Sequence, residues 1–205
     1  MSEPNRSREP KSPNRVEVLE RESLVDDFFK MDRILVRRER FDGTMDKARW
    51  RLVFERGDAA GVLLYDHDTW DVLLVRQFRY PAYARGDDGW LWELVAGTQA
   101  PDDDPAETAR REAMEEAGYR LGELERVGTV YPSPGACTER IHLFVAPVAP
   151  GDRVADGGGR ADEGEDIATS WMPLDEALAM AQRGEIVHAP TLLCLQHLRL
   201  MRDVA

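Results

Sequence analysis

Cysteine is scarce in this chain. There are two, Cys137 and Cys194, in 205 residues, too few for a disulfide framework, and their use suits a reducing cytoplasm. Long apolar runs are missing too. None approaches the ~20 residues that cross a bilayer, so no membrane partner is expected. The first residues, Met1 to Asn14, are polar and carry Ser, Pro and Arg. With no apolar core they do not read as a secretory signal, and they are expected to form a disordered tail over residues 1–14. Positive charge is in deficit, with 27 Lys and Arg against 39 Asp and Glu and a net charge of −12. That excludes the basic footprint of a protein that binds nucleic acid polymers. Internal repeats are absent. Of the histidines, His188 and His197 fall on or near the last helix without metal-like partners.

What remains is an ordinary soluble composition, 42% hydrophobic and 32% charged, at a length that suits one domain. Strands are expected through residues 16–56, with Asp42-Gly43 as a turn, and again at Ala60–Tyr65 and Val72–Arg79. Pro81–Gly89 reads as a loop. Leu91-Trp92-Glu93-Leu94-Val95 reads as one buried strand running into Ala96-Gly97. Further strands are expected at Leu124–Tyr131, Ile141–Val148 and Ile167–Met172. Leu174–Arg183 and Thr191–Arg202 read as amphipathic helices. Residues 150–165, with three consecutive glycines, read as a long mobile loop of the kind that serves as a lid. The order suggests an α/β protein with a mixed sheet between helices.

The most informative segment is 97–119. An Asp-rich turn, Asp102 to Asp104, precedes Pro105, which suits the first turn of a helix. That helix carries Arg111-Glu112 and Glu115-Glu116, and Gly118 suits its end. Positions three and four apart share a helix face, so Glu112, Glu115 and Glu116 stand roughly 5–6 Å apart at Cβ. A solvated acidic face explains such spacing in many helices. A divalent cation among the carboxylates explains it better here, because like charges so placed repel and Mg²⁺ favours hard oxygen ligands.

The same segment resembles the Nudix box. Gly97, Arg111, Glu112, Ala113, Glu115, Glu116, Gly118 and Tyr119 fall on its positions, and Asp103 stands where the family has Glu. The resemblance extends to Arg76-Gln77-Phe78-Arg79, Glu93-Leu94-Val95-Ala96-Gly97, Ser133-Pro134-Gly135 with Thr138-Glu139, and Glu163-Gly164-Glu165-Asp166-Ile167, over most of residues 25–200. These pieces look like the branch that cleaves nucleoside diphosphate sugars, which includes ADP-ribose and GDP-mannose pyrophosphatases. Gly157-Gly158-Gly159 and Gly184-Glu185-Ile186 look closest to the GDP-mannose members.

The resemblance implies a Nudix α/β/α sandwich over residues 57–205. It also implies a small N-terminal antiparallel sheet over 15–56, used to form a homodimer. It implies Mg²⁺, with Mn²⁺ as a substitute, held by Glu112, Glu116, the Ala96 carbonyl and Glu165. Glu115 either coordinates as well or holds the cluster together, Arg111 orients the carboxylates, and Glu163 acts as the base. Glu163 and Glu165 could exchange roles.

Substrate contacts are assigned to Arg51, Arg76, Arg79 and Glu93 and to the turn Ser133-Pro134-Gly135. An anionic substrate would be repelled by the average field of this chain, so metal ions and these arginines must reverse the sign locally. The expected activity is Mg²⁺-dependent hydrolysis of the diphosphate bond of ADP-ribose or GDP-mannose. A non-catalytic nucleotide-sugar sensor on the same scaffold and a housecleaning nucleoside triphosphate pyrophosphatase are the alternatives.

Overall fold

The computed structural model describes residues 12–204, with the side chains of Pro150 and Glu163 outside the description. Most of the expected tail over 1–14 therefore lies outside the described residues. The chain divides into two compact units, residues 12–56 with Ser133–Thr138, and Gly57–Pro132 with residues 139–204.

The first unit is a three-stranded antiparallel sheet, β1 (Val16–Asp26), β2 (Lys30–Arg38) and β3 (Arg49–Glu55), in that spatial order. Opposite charges face each other across β1 and β2. Arg37 pairs with Glu17 at 2.6 Å and Arg21 with the buried Asp32, the kind of cross-strand pair that adds roughly 0.2–1 kcal/mol. Ser133–Thr138 docks on β3. The Phe54 amide donates to the Ala136 carbonyl at 2.7 Å, and the Thr138 hydroxyl donates to Glu55 at 2.7 Å. Val18, Leu24, Phe28 and Leu52 leave apolar surface exposed on this unit, Phe28 at 84%.

The second unit holds a seven-stranded mixed sheet. Its strands are β4 (Ala59–Asp66), β5 (Asp71–Phe78), β6 (Trp90–Glu93), β7 (Val95–Thr98), β8 (Glu125–Val130), β9 (Ile141–Val148) and β10 (Ala168–Pro173). The order is β10-β5-β4-β9-β8, with β6 on β5 and β7 on β4; β4 and β9 are parallel and the other pairs antiparallel. The helices are α1 (Tyr80–Tyr83), α2 (Pro105–Glu112), α3 (Leu174–Arg183) and α4 (Ala189–Arg202).

Alternation along β4 makes two cores. Ala60, Val62 and Leu64 pack with Ala109 and Ala113 of the α2 segment, whereas Leu63 and Tyr65 pack with Leu174, Leu178, Leu195 and Leu198 of α3 and α4. The sheet therefore lies between helical layers, the α/β/α sandwich expected from the sequence.

Three local expectations are corrected. Residues 81–89 are not wholly loop, since α1 is a single turn at their start. The run Leu91–Val95 is not one strand. It breaks at Leu94, and β6 and β7 pair with different neighbours. The helix beginning at Pro105 does not stay α-helical to Gly118. Asp104 caps it, accepting from the Ala106 amide at 3.0 Å, and residues Ala113–Ala117 then form a π-helical turn that ends at left-handed Gly118. Such turns recur at functional sites.

Candidate functional site

Glu112 ends α2 and Glu116 lies in the π turn, and both are turned inward. Glu112 is 7% exposed and Glu116 2%. They face β7, where Gly97 leaves the space that the Glu112 carboxylate occupies; an ideal Cβ on Gly97 would collide with it. The Ala96 backbone on the same strand lies beside the Glu116 carboxylate and favours its charged form. Glu116 Oε2 is nevertheless buried without any partner. Burial pushes the Glu116 pKa up to about 9, helped by the negative charges of Glu112 and Glu165. Burial also raises Glu112, against the pull of Arg111. The Arg111 guanidinium spans Glu112 at 2.7 Å and Glu115 at 3.0 Å and reaches the Thr98 carbonyl at 3.3 Å. Glu115 is thus the outer carboxylate, held by Arg111.

Arg79 and Glu93 form a second pair. Arg79 Nε stands 3.1 and 3.2 Å from the two Glu93 oxygens, and Nη2 lies 2.6 Å from Oε2. Glu93 is 2% exposed, so the arginine neutralises a carboxylate that water does not reach. Burial disfavours the Arg79 cation, but the charges of Glu93, Glu116 and Glu165 outweigh it and hold its pKa above the ordinary value. Both residues were expected to contact substrate; in the structure they bind each other, and Arg79 also faces Glu116 and Glu165.

The glycine run is fastened to the end of the π turn. The Gly158 amide donates to the Glu116 carbonyl at 2.8 Å and the Gly159 amide to the Glu115 carbonyl at 3.0 Å. These bonds satisfy carbonyls that a helix end leaves open. Gly157 has φ +72, and a Cβ there would meet the Glu116 carbonyl oxygen at 2.6 Å. Beyond this seam Glu165 accepts from the Arg160 amide at 2.8 Å, and its charge is felt at Glu112, Glu116 and Arg79. Glu163 closes a 3-10 turn, Ala161–Glu163, and its side chain lies outside the described residues.

Ala96, Glu112, Glu116, Glu165 and Arg79 thus gather in the second unit. Arg51 and the exposed turn Ser133-Pro134-Gly135 belong to the first. Arg76 of β5 pairs with Trp92 of β6, which packs against the α3–α4 core, and the Arg76 guanidinium sits 5.2 Å from the Trp92 ring. With Trp90, Asp166 and Ala168 it lines a cavity of about 430 Å³, and its Nε is buried without a partner. The sequence carried no sign of the Arg79–Glu93 pairing, because nothing local links residues on different strands.

Among the described residues no three His, Cys, Asp or Glu side chains already form a metal cluster. The donor set still fits a hard divalent cation. Burial disfavours the charged form of both inward carboxylates, and one Glu116 oxygen is unsatisfied. A cation would reverse both penalties.

A model of the NUDIX domain matches residues 55–193. A GDP-mannose pyrophosphatase of Cronobacter sakazakii is 41% identical over 186 residues, which cover 90% of this chain and 95% of that protein. The GDP-mannose pyrophosphatase of Pectobacterium atrosepticum is 38% identical over 183 residues, 89% of this chain and 93% of that protein. A crystal structure titled ADP compounds hydrolase shares the fold, with a TM-score of 0.69 at 18% identity over 94% of this chain and 98% of that one. The chain belongs to the Nudix hydrolase family. No helix among the described residues is long and apolar enough to cross a membrane.

Proposed function

We propose that this protein hydrolyses the diphosphate bond of a nucleoside diphosphate sugar in a Mg²⁺-dependent reaction, with GDP-mannose as the first substrate to test and ADP-ribose as the second. The products are a nucleoside monophosphate and a sugar phosphate. One observation carries the reading: Glu116 is buried beside Glu112 with a carboxylate oxygen that no protein group satisfies. The named activity of the two GDP-mannose pyrophosphatases, similar over nine-tenths of the chain, supports the choice of substrate.

Glu112, Glu116, Glu165 and the Ala96 carbonyl would hold Mg²⁺, or Mn²⁺ in its place. Bound there, the cation supplies charge neutralisation on the diphosphate and acidifies water. Glu163 accepts the proton of the attacking water as its oxygen bonds to phosphorus and the bridging P–O bond breaks. Arg111 keeps Glu112 and Glu115 in place. Arg79, facing Glu116 and Glu165, offers its outer edge to a phosphate oxygen. The cavity beside Arg76 and Trp90 receives a planar or sugar moiety. The exposed apolar residues of the β1–β3 sheet would be covered in a homodimer. The two free cysteines fit a reducing cytoplasm.

The test is a panel of GDP-mannose, ADP-ribose, other nucleotide sugars and nucleoside triphosphates, with products resolved by ion-exchange chromatography. Release of GMP and mannose 1-phosphate, abolished by EDTA, is the expected result. No turnover of any diphosphate with Mg²⁺ or Mn²⁺ overturns the reading in favour of a sensor, and pyrophosphate release from triphosphates alone overturns it in favour of housecleaning.

A further inference from the structure

The segment from Trp90 to Thr98 does two jobs on either side of one residue. Before Leu94, Glu93 pairs with Val75 of β5 and holds Arg79; after it, Val95 pairs with Val62 of β4. Leu94 belongs to neither ladder, yet it is 1% exposed. A buried amide there must find an acceptor outside the sheet. It finds one on α4, where the Leu94 amide donates to Thr191 Oγ1 at 2.7 Å. Thr191 is wholly buried. Its hydroxyl lies 2.9 Å from Nδ1 of His188, the residue that precedes α4. Because Oγ1 accepts from Leu94, its own hydrogen is free to point at His188 Nδ1. Burial lowers the His188 pKa.

The break matters because of what its two arms touch. Two and three residues after Leu94, the Ala96 backbone lies beside Glu116 and the bare backbone of Gly97 makes room for Glu112. One residue before it, Glu93 fixes the Arg79 guanidinium. If β6 continued straight into β7 along β5, residues 95–98 would lose β4, and with it their place under the α2 segment.

We propose that Thr191, oriented by His188, is a positioning residue for the hydrolytic site. From the opposite face of the sheet it pins the Leu94 amide, and so sets where Ala96-Gly97 meets Glu112 and Glu116 and where Glu93 presents Arg79. This inference rests on the reading of Glu112 and Glu116 as the metal seat.

The experiment measures Mn²⁺ binding by electron paramagnetic resonance, and kcat and KM for GDP-mannose, in five proteins: wild type, Thr191→Val, Thr191→Ser, His188→Ala and Glu116→Gln. Folding is checked by circular dichroism, and all measurements are made well below each melting temperature. Thr191→Val keeps the volume and removes the acceptor. It is expected to bind Mn²⁺ about tenfold more weakly, the lower end of what loss of a supporting partner costs a metal site, and to lose kcat with KM little changed. Thr191→Ser restores both to near wild type, and His188→Ala gives an intermediate loss. A purely structural threonine would lower the melting temperature of Thr191→Val and leave Mn²⁺ affinity and kcat untouched, and that result overturns the proposal. If Thr191→Val does not fold, His188→Ala decides, and wild-type affinity and kcat in that variant overturn it equally. Failure of Glu116→Gln to weaken Mn²⁺ binding is a separate outcome that removes the metal-seat reading and this inference with it.

Discussion

The Glu112 carboxylate fills the place where any side chain on Gly97 would begin. A strand glycine usually weakens its sheet; here its missing Cβ lets a helix carboxylate rest on the strand backbone. Gly97→Ala should therefore push Glu112 out of line with Glu116 while the sheet still forms. The expected outcome is a fall of about 10–100-fold in Mn²⁺ affinity, as for other disturbed ligand supports, with a parallel fall in kcat. Calorimetric titration with Mn²⁺ checks it, and unchanged affinity would show that Glu112 is not a ligand.

Metal-free stability should fall as pH rises. The Glu116 pKa in the folded protein lies near 9, above its ordinary value of 4.5. A group raised in this way contributes stability that is full below 4.5 and is lost as pH climbs through about 9. The steepest loss is about 1.4 kcal/mol per pH unit for one proton. Urea denaturation in EDTA at intervals from pH 5 to pH 9 should show this decline in wild type and a shallower one in Glu116→Gln. Identical slopes in the two proteins would mean that Glu116 ionises freely.

Arg79 and Glu93 should show non-additive effects. Arg79→Ala leaves a buried carboxylate unpaired and should cost about 2–4 kcal/mol of stability. Glu93→Gln added to it should recover most of that stability, because the remaining side chain is neutral. Activity should stay low in the double variant, since Arg79 is absent in both. Stability without recovery would mean that the pair is not the reason Glu93 tolerates burial.

The carboxylate spacing at Glu112 and Glu116 could be read from the sequence because a helix turns a four-residue interval into one face. The runs Ala60–Tyr65 and Ile141–Val148 could be read because buried strands are apolar almost throughout. The break at Leu94 could not, since an apolar run looks the same whether or not it changes partners. The π turn at Ala113–Ala117 leaves no mark in periodicity over so few residues. Gly157 reads as flexibility in a sequence, whereas the structure uses it for close approach to the Glu116 carbonyl. The pairing of Arg79 with Glu93, and the attachment of Ser133–Thr138 to β3, depend on contacts between distant residues that no local pattern encodes.

Glu163→Gln tests the base directly. A base acts in the transition state, so its loss should lower kcat by about 10²–10⁴-fold and leave KM near wild type. Steady-state kinetics on GDP-mannose separates the two parameters. Full turnover here beside an inactive Glu165→Gln would exchange the two roles.

Under the proposed function, Glu116 holds the catalytic cation of a nucleotide-sugar hydrolase. The most direct test is the rate of GDP-mannose hydrolysis by wild type and by Glu116→Gln as Mg²⁺ is raised from limiting to saturating concentration. Turnover in wild type is expected to be abolished by EDTA and restored by Mg²⁺, and the variant is expected to be folded yet slower by about 10–100-fold at limiting Mg²⁺. Near wild-type turnover by Glu116→Gln at limiting Mg²⁺ would contradict it.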